Sequence, residues 1–141
     1  MQDDRPLIVM LEDDHDRIAR FSAVLSNGLR FLFWRTACDF IANFPQIPTP
    51  QLIALDHDLF VDHPGEPDPG DGRDVSRYLS TLQPVAPVLI HSTNTLAAES
   101  MLYQLRDSGW VVDRISPIGE DWIEADWFPF ACAFQFRNSA R

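Results

Sequence analysis

Apolar and polar positions along the chain follow two periods that alternate. Residues 7–11, "LIVML", are continuously apolar over strand length and stop at Glu12-Asp13-Asp14, which predicts a strand buried on both faces. From Asp14 the spacing becomes helical, with Ile18, Phe21, Val24 and Leu25 on one face and Asn27-Gly28 as the stop. The same pair of periods then repeats. "RFLFWRT" reads as a strand, "ACDFIANF" as a short helix, and "PQLIALDHDL" as another buried strand ending in acids, after the proline-rich break "PQIPTP". Val75, Tyr78, Leu79 and Leu82 mark a helix, "APVLIH" a strand, Leu96 to Leu105 a helix and "WVVDRI" a fifth strand.

Two segments break the rhythm. Residues 59–72, "LFVDHPGEPDPGDG", hold three prolines and three glycines and predict an exposed loop, of a length that in compact domains often serves function. The last apolar segment, "GEDWIEADWFPFACAFQF", starts like a helix, and Pro129 is expected to end or kink it. Alternating strands and helices without hairpin signals imply parallel pairing with right-handed crossovers. The expectation is a five-stranded, three-layer α/β/α sandwich forming one domain over residues 1–141.

Composition narrows what such a domain does. With 141 residues and 45% hydrophobic content the chain can bury one core. A formal charge of -10 argues against general nucleic-acid binding, which relies on basic residues replacing phosphate counterions. A small phosphate held through a metal or a local arginine remains compatible. All 11 basic residues are arginine. Cys38 and Cys132 lack metal-ligand spacing and read as reduced core thiols. "LIVML" is too short for a signal core or a membrane span, so the expected compartment is the cytoplasm, with no membrane partner.

In an open parallel sheet, ligands bind beyond the carboxyl ends of the strands. Here those ends carry Glu12-Asp13-Asp14, Asp56-His57-Asp58 and His91-Ser92-Thr93-Asn94. Clustered carboxylates repel one another and call for a cation, most simply Mg²⁺ or another divalent ion. Asp14 also suits a helix cap. His91 is of a residue type suited to acid–base chemistry, although a lone histidine at a strand end is commonly a structural hydrogen-bonding residue. Ser92, Asn94 and the following helix amides suit phosphate oxygens. Arg17, one turn after Asp13, suits either the phosphate or an ion pair with that acid. His57 should alternate to the face opposite Asp56 and Asp58, and His63 lies in the loop. Trp122, Trp127, Phe128, Phe130, Phe134 and Phe136 suit a core or a homodimer surface better than a ligand cage.

"LIVMLEDD", "LIALDHDL" and "PVLIHSTN" together resemble the receiver domain of two-component response regulators, over residues 7 to about 117, leaving 118–141 as an aromatic-rich extension. The resemblance implies a sheet order of 2-1-3-4-5. It also implies that Glu12 and Asp13 are the metal-binding acidic pair, Asp56 the phosphoacceptor and metal ligand, and Ser92 the hydroxyl that follows the phosphoryl group. The receiver's lysine before proline is absent, since that position is Ser116 in "RISP" and the chain has no lysine. Arg114 would replace its charge only from the correct strand face. With Asp58, His91 and Asn94 added, "LEDDHDR", "DHDL" and "HSTN" resemble the cyclic-phosphate-processing branch of receivers. That branch implies a metal-dependent phosphoesterase acting on a small cyclic-phosphate ligand, on a nucleotide or an RNA end; the chemistry of opening such a ring suits Asp56, His91 and Asp58 as catalytic groups and Ser92, Asn94 and Arg17 as groups on the phosphate. The alternative is an atypical, lysine-lacking receiver that signals without catalysis.

Overall fold

The computed structural model describes residues 3–26 and 28–139. Five parallel strands, β1 (Leu7–Leu11), β2 (Arg30–Trp34), β3 (Leu52–Leu55), β4 (Val88–His91) and β5 (Val112–Ile115), form one sheet in the order β2-β1-β3-β4-β5. Between and after them run α1 (His15–Leu25), α2 (Ala37–Asn43), α3 (Gly72–Leu79), α4 (Thr95–Asp107) and α5 (Phe128–Ser139). This is the expected three-layer α/β/α sandwich and strand order.

The unbroken apolar runs make sense because the central strands are covered on both sides. Leu7, Val9, Leu11, Ile53, Leu55, Val88 and Ile90 pack against α2, α3 and α4. Ile8, Met10, Leu52, Ala54 and Leu89 point the other way, onto Phe21 and Leu25 of α1 and the C-terminal segment. Burying each large side chain contributes roughly 1.5–3 kcal/mol before the entropy cost of ordering it.

Local signals set the helix starts. Asp14 caps α1, its Oδ1 accepting from the Arg17 amide at 2.9 Å, and Asp71 with Asp74 forms a capping box on α3. The Asn27 half of the "NG" stop lies outside the described residues, while Gly28 takes the left-handed φ of 77° that suits its turn. Gly72 is needed for a different reason. A Cβ there would overlap the carbonyl of Asp56, and its amide donates to the His57 carbonyl at 2.9 Å. The long loop therefore returns directly onto the end of β3.

The C-terminal segment differs from an end at Pro129. One wide π turn, Ile123–Trp127, precedes the proline, and the Phe128 amide donates to the Ile123 carbonyl. Pro129 then sits in the first turn of α5, where its missing N–H is tolerated and the helix continues. Trp122, Trp127 and Phe134 are buried, with Phe128 and Phe130 packed beside them. These five aromatics serve the core; the Phe136 side chain lies outside the described residues. Cys38 is exposed rather than a core thiol, and Cys132 is half-buried. Among the described residues, no helix is long and apolar enough to cross a membrane.

Candidate active site

Strand parity and register bring the site together. Glu12, Asp56 and His91 each continue the α1/α5-facing alternation: Ile8-Met10-Glu12, Leu52-Ala54-Asp56 and Leu89-His91. Leu11 pairs with Leu55 and Leu55 with Ile90, so the next residue of each strand falls in one row across β1, β3 and β4. Side-chain donor atoms of Glu12, Asp56 and His91 lie within 4.8 Å of one another, and all three residues are buried.

Glu12 is the hub. Its Oε1 lies 2.9 Å from His91 Nε2, and its Oε2 accepts from Arg17 at 2.8 Å and from the amides of Asp13 and Asp14 at 3.1 Å. Arg17 spans the acids, the same terminal nitrogen donating to Asp56 Oδ2 at 2.9 Å. The other Asp56 oxygen accepts from the His57 amide at 2.8 Å.

Charge is divided unevenly between the two acids. Burial works to raise the Glu12 pKa, but the hydrogen bond and charge of His91, with Arg17, hold it down at about 2. Burial and the negative charge of Glu12 push Asp56 up to about 8, beyond what Arg17 and the His57 amide offset. Glu12 is thereby held toward its charged form and Asp56 toward its protonated form. Arg17 stays cationic because Glu12 and Asp56 outweigh its own desolvation.

Among the described residues, the hydrogen bond that ties His91 to this cluster is the one to Glu12. Its ring has no exposed surface, packs 5.2 Å from Phe21 and 5.7 Å from Trp122 between centroids, and its Nδ1 has no hydrogen-bond partner among the described residues. Asp13, one residue beyond Glu12, is outside the trio. Its Oδ2 accepts from the Phe60 amide at 2.8 Å, and burial raises its pKa. Asp58 pairs with His57, Oδ1 to Nδ1 at 2.7 Å, because the chain has already left β3 and strict alternation no longer separates them. The amide oxygen of Asn94 caps α4 by accepting from Ala97 at 3.2 Å, while Ser92 Oγ accepts from the Asn94 amide at 3.0 Å. Arg114 is on the other face, its guanidinium 4.0 Å from Glu99 of α4, so the cation beside the acids is Arg17.

The 59–72 loop borders this mouth. Asp62 accepts from Arg35 at 2.8 and 2.9 Å and lies 3.2 Å from His15 Nε2, while Arg35 also donates to the Asp13 carbonyl at 3.0 Å. A cavity of about 340 Å³ opens between Arg35, Thr36, Phe60 and Asp62.

The family described as the cyclic-phosphate processing receiver domain matches residues 7–107. The chain belongs to that family. The receiver is similar in structure to the signal receiver domain of a LuxO repressor protein of Vibrio parahaemolyticus, with 20% identity, 94% of this chain and 91% of that one covered, and a TM-score of 0.66. It also resembles a Francisella response regulator receiver, at 16% identity, coverage of 94% and 98% and TM-score 0.65. The Mn²⁺-bound form of response regulator Rcp1 aligns at 18% identity, coverage of 92% and 91% and TM-score 0.64. These likenesses show the fold. No curated protein matches the chain.

The buried trio fits a divalent ion in donor chemistry and spacing. Two carboxylates suit Mg²⁺ or Mn²⁺, and an imidazole beside them shifts the preference toward Mn²⁺. Sequence reading grouped Asp13 with Glu12 and Asp56 as metal ligands; counting parity from Ile8, Leu52 and Leu89 places His91 in the row of Glu12 and Asp56 and Asp13 outside it.

Proposed function

We propose that this receiver is a metal-dependent phosphoesterase that opens a cyclic phosphodiester, on a nucleotide or an RNA end. The observation that carries the reading is the buried Glu12–His91 pair in register with Asp56, joined by Arg17 in a chain without lysine. A signalling receiver has no evident need of that pair.

Hydrolysis adds water to phosphorus, breaks one ester P–O bond and protonates the leaving oxygen, giving a phosphomonoester. A divalent cation, when bound, would neutralise phosphate charge and acidify water. Glu12 and Asp56 would hold it, with His91 fixing the outer oxygen of Glu12. Arg17, the Ser92 hydroxyl and the first amides of α4 hold phosphate oxygens. The His57–Asp58 pair, next in the chain to Asp56, carries the proton to the leaving oxygen. His91 is then a positioning residue. Incubating the protein with a cyclic nucleotide and Mn²⁺ or Mg²⁺ tests the reading. Hydrolysis abolished by chelation and by Asp56→Asn is the expected result, and full activity in Asp56→Asn would overturn it.

One observation favours a second reading, an atypical receiver that is phosphorylated. Asp56 and Ser92 occupy the ends of β3 and β4 in a receiver fold. That reading predicts transfer of a phosphoryl group from a small phosphodonor to the Asp56 carboxylate with Mg²⁺, detected as an acid-stable, hydroxylamine-sensitive mass increase.

A further inference from the structure

We propose that Arg17 is the resident cation of this site, that it and a divalent ion exclude one another, and that phosphate draws it away, so that ion and phosphate load together. This rests on the metal-and-phosphate reading above. An ion held by both acids sits roughly 2.0–2.6 Å from an oxygen of each. The terminal nitrogen of Arg17 already lies 2.8 Å from Glu12 Oε2 and 2.9 Å from Asp56 Oδ2, within the same narrow gap. Two cations do not share that space without strong repulsion.

Arg17 is also built to leave. It is the third residue of α1, its side chain is 27% exposed, and among the described residues its side-chain hydrogen bonds run only to the two acids. Its planar fork matches a phosphate at least as well as a carboxylate. When it moves, the acids lose a positive charge and a divalent ion restores it. A phosphate bound beside that ion gives the guanidinium a new partner. Each ligand therefore lowers the cost of binding the other, and the coupling is reciprocal. Arg17 takes over part of the role of the absent lysine while guarding the acids in the ligand-free protein.

Mn²⁺ binding, followed by electron paramagnetic resonance with and without inorganic phosphate, tests this in wild type and Arg17→Met. Wild type is expected to bind Mn²⁺ weakly alone and about tenfold more tightly with phosphate. Arg17→Met should bind Mn²⁺ alone about tenfold more tightly than wild type, yet gain much less from phosphate. Weaker Mn²⁺ binding in the variant, or an unchanged phosphate gain, overturns the proposal. A second measurement needs no variant. In wild type the Arg17 Nε–H resonance should shift when Mg²⁺ and phosphate are added together; a resonance that stays in place while both bind overturns the exchange. If neither protein binds Mn²⁺, the metal reading itself fails; if both bind it equally, only the exchange does.

Discussion

The two faces of the sheet are made from the same strands yet end differently. Toward α2, α3 and α4 the alternating positions stay apolar through Leu11, Leu55 and Ile90. Toward α1 and α5 they run one step further, into Glu12, Asp56 and His91. One face closes the core, while the other brings charge to the edge of a buried aromatic cluster. One residue of parity separates an apolar packing position from an ionisable one. Asp13 and Glu12 are neighbours in sequence, but Asp13 holds the loop through Phe60 and Glu12 holds the cluster.

The sharpest way to break this contrast is to truncate one residue on each face. His91→Ala removes a buried partner of Glu12 and empties space beside Phe21 and Trp122, with an expected loss of about 4 kcal/mol in urea unfolding. Leu55→Ala on the apolar face should lose about 3 kcal/mol through its cavity alone. Only the histidine variant should also shift acid unfolding. Glu12 has a lowered pKa, so it contributes stability that is present above its ordinary value and lost as pH falls toward about 2. Without His91 that loss should begin at higher pH; identical acid profiles for the two variants would refute the division of labour.

Asp56→Asn addresses the charged row by itself. Mn²⁺ affinity should fall about a hundredfold, measured by titration, whereas the same change at Asp13 should have a smaller effect. Because the Asp56 pKa is raised, the native state holds its proton more tightly than the unfolded chain. The wild-type protein without metal should therefore lose stability as pH rises from about 4 toward about 8. Urea midpoints across that range should be flatter in Asp56→Asn.

The smallest effect sharpens the boundary of the site. Asn94→Ala should cost about 1 kcal/mol through its lost cap on α4. Asn94→Asp should keep the cap and weaken phosphate binding by repulsion, read as inorganic phosphate competition in the presence of Mn²⁺. Unchanged competition would leave Asn94 as a cap alone.

Much of this was legible in the residues. The period-two runs, the helical spacings and the acids at the strand ends specify the α/β sandwich and the end of the sheet that carries the site. The motif set around Glu12, Asp56 and Ser92 carried the family. Less legible was Pro129, whose effect depends on the π turn that precedes it. His57 was also misjudged, because strand alternation was extended past Leu55, where the strand stops.

Sequence alone determined the order of elements, the chemistry available at each strand end and the absence of lysine, because period and composition are local properties. Tertiary structure decided which of those groups meet. Register placed Glu12, Asp56 and His91 in one row, burial split the pKa values of two similar acids, and helix placement aimed Arg17 rather than Arg114 at them. Distances and desolvation arise only when separate strands and helices pack together, so the pattern of a single segment does not contain them.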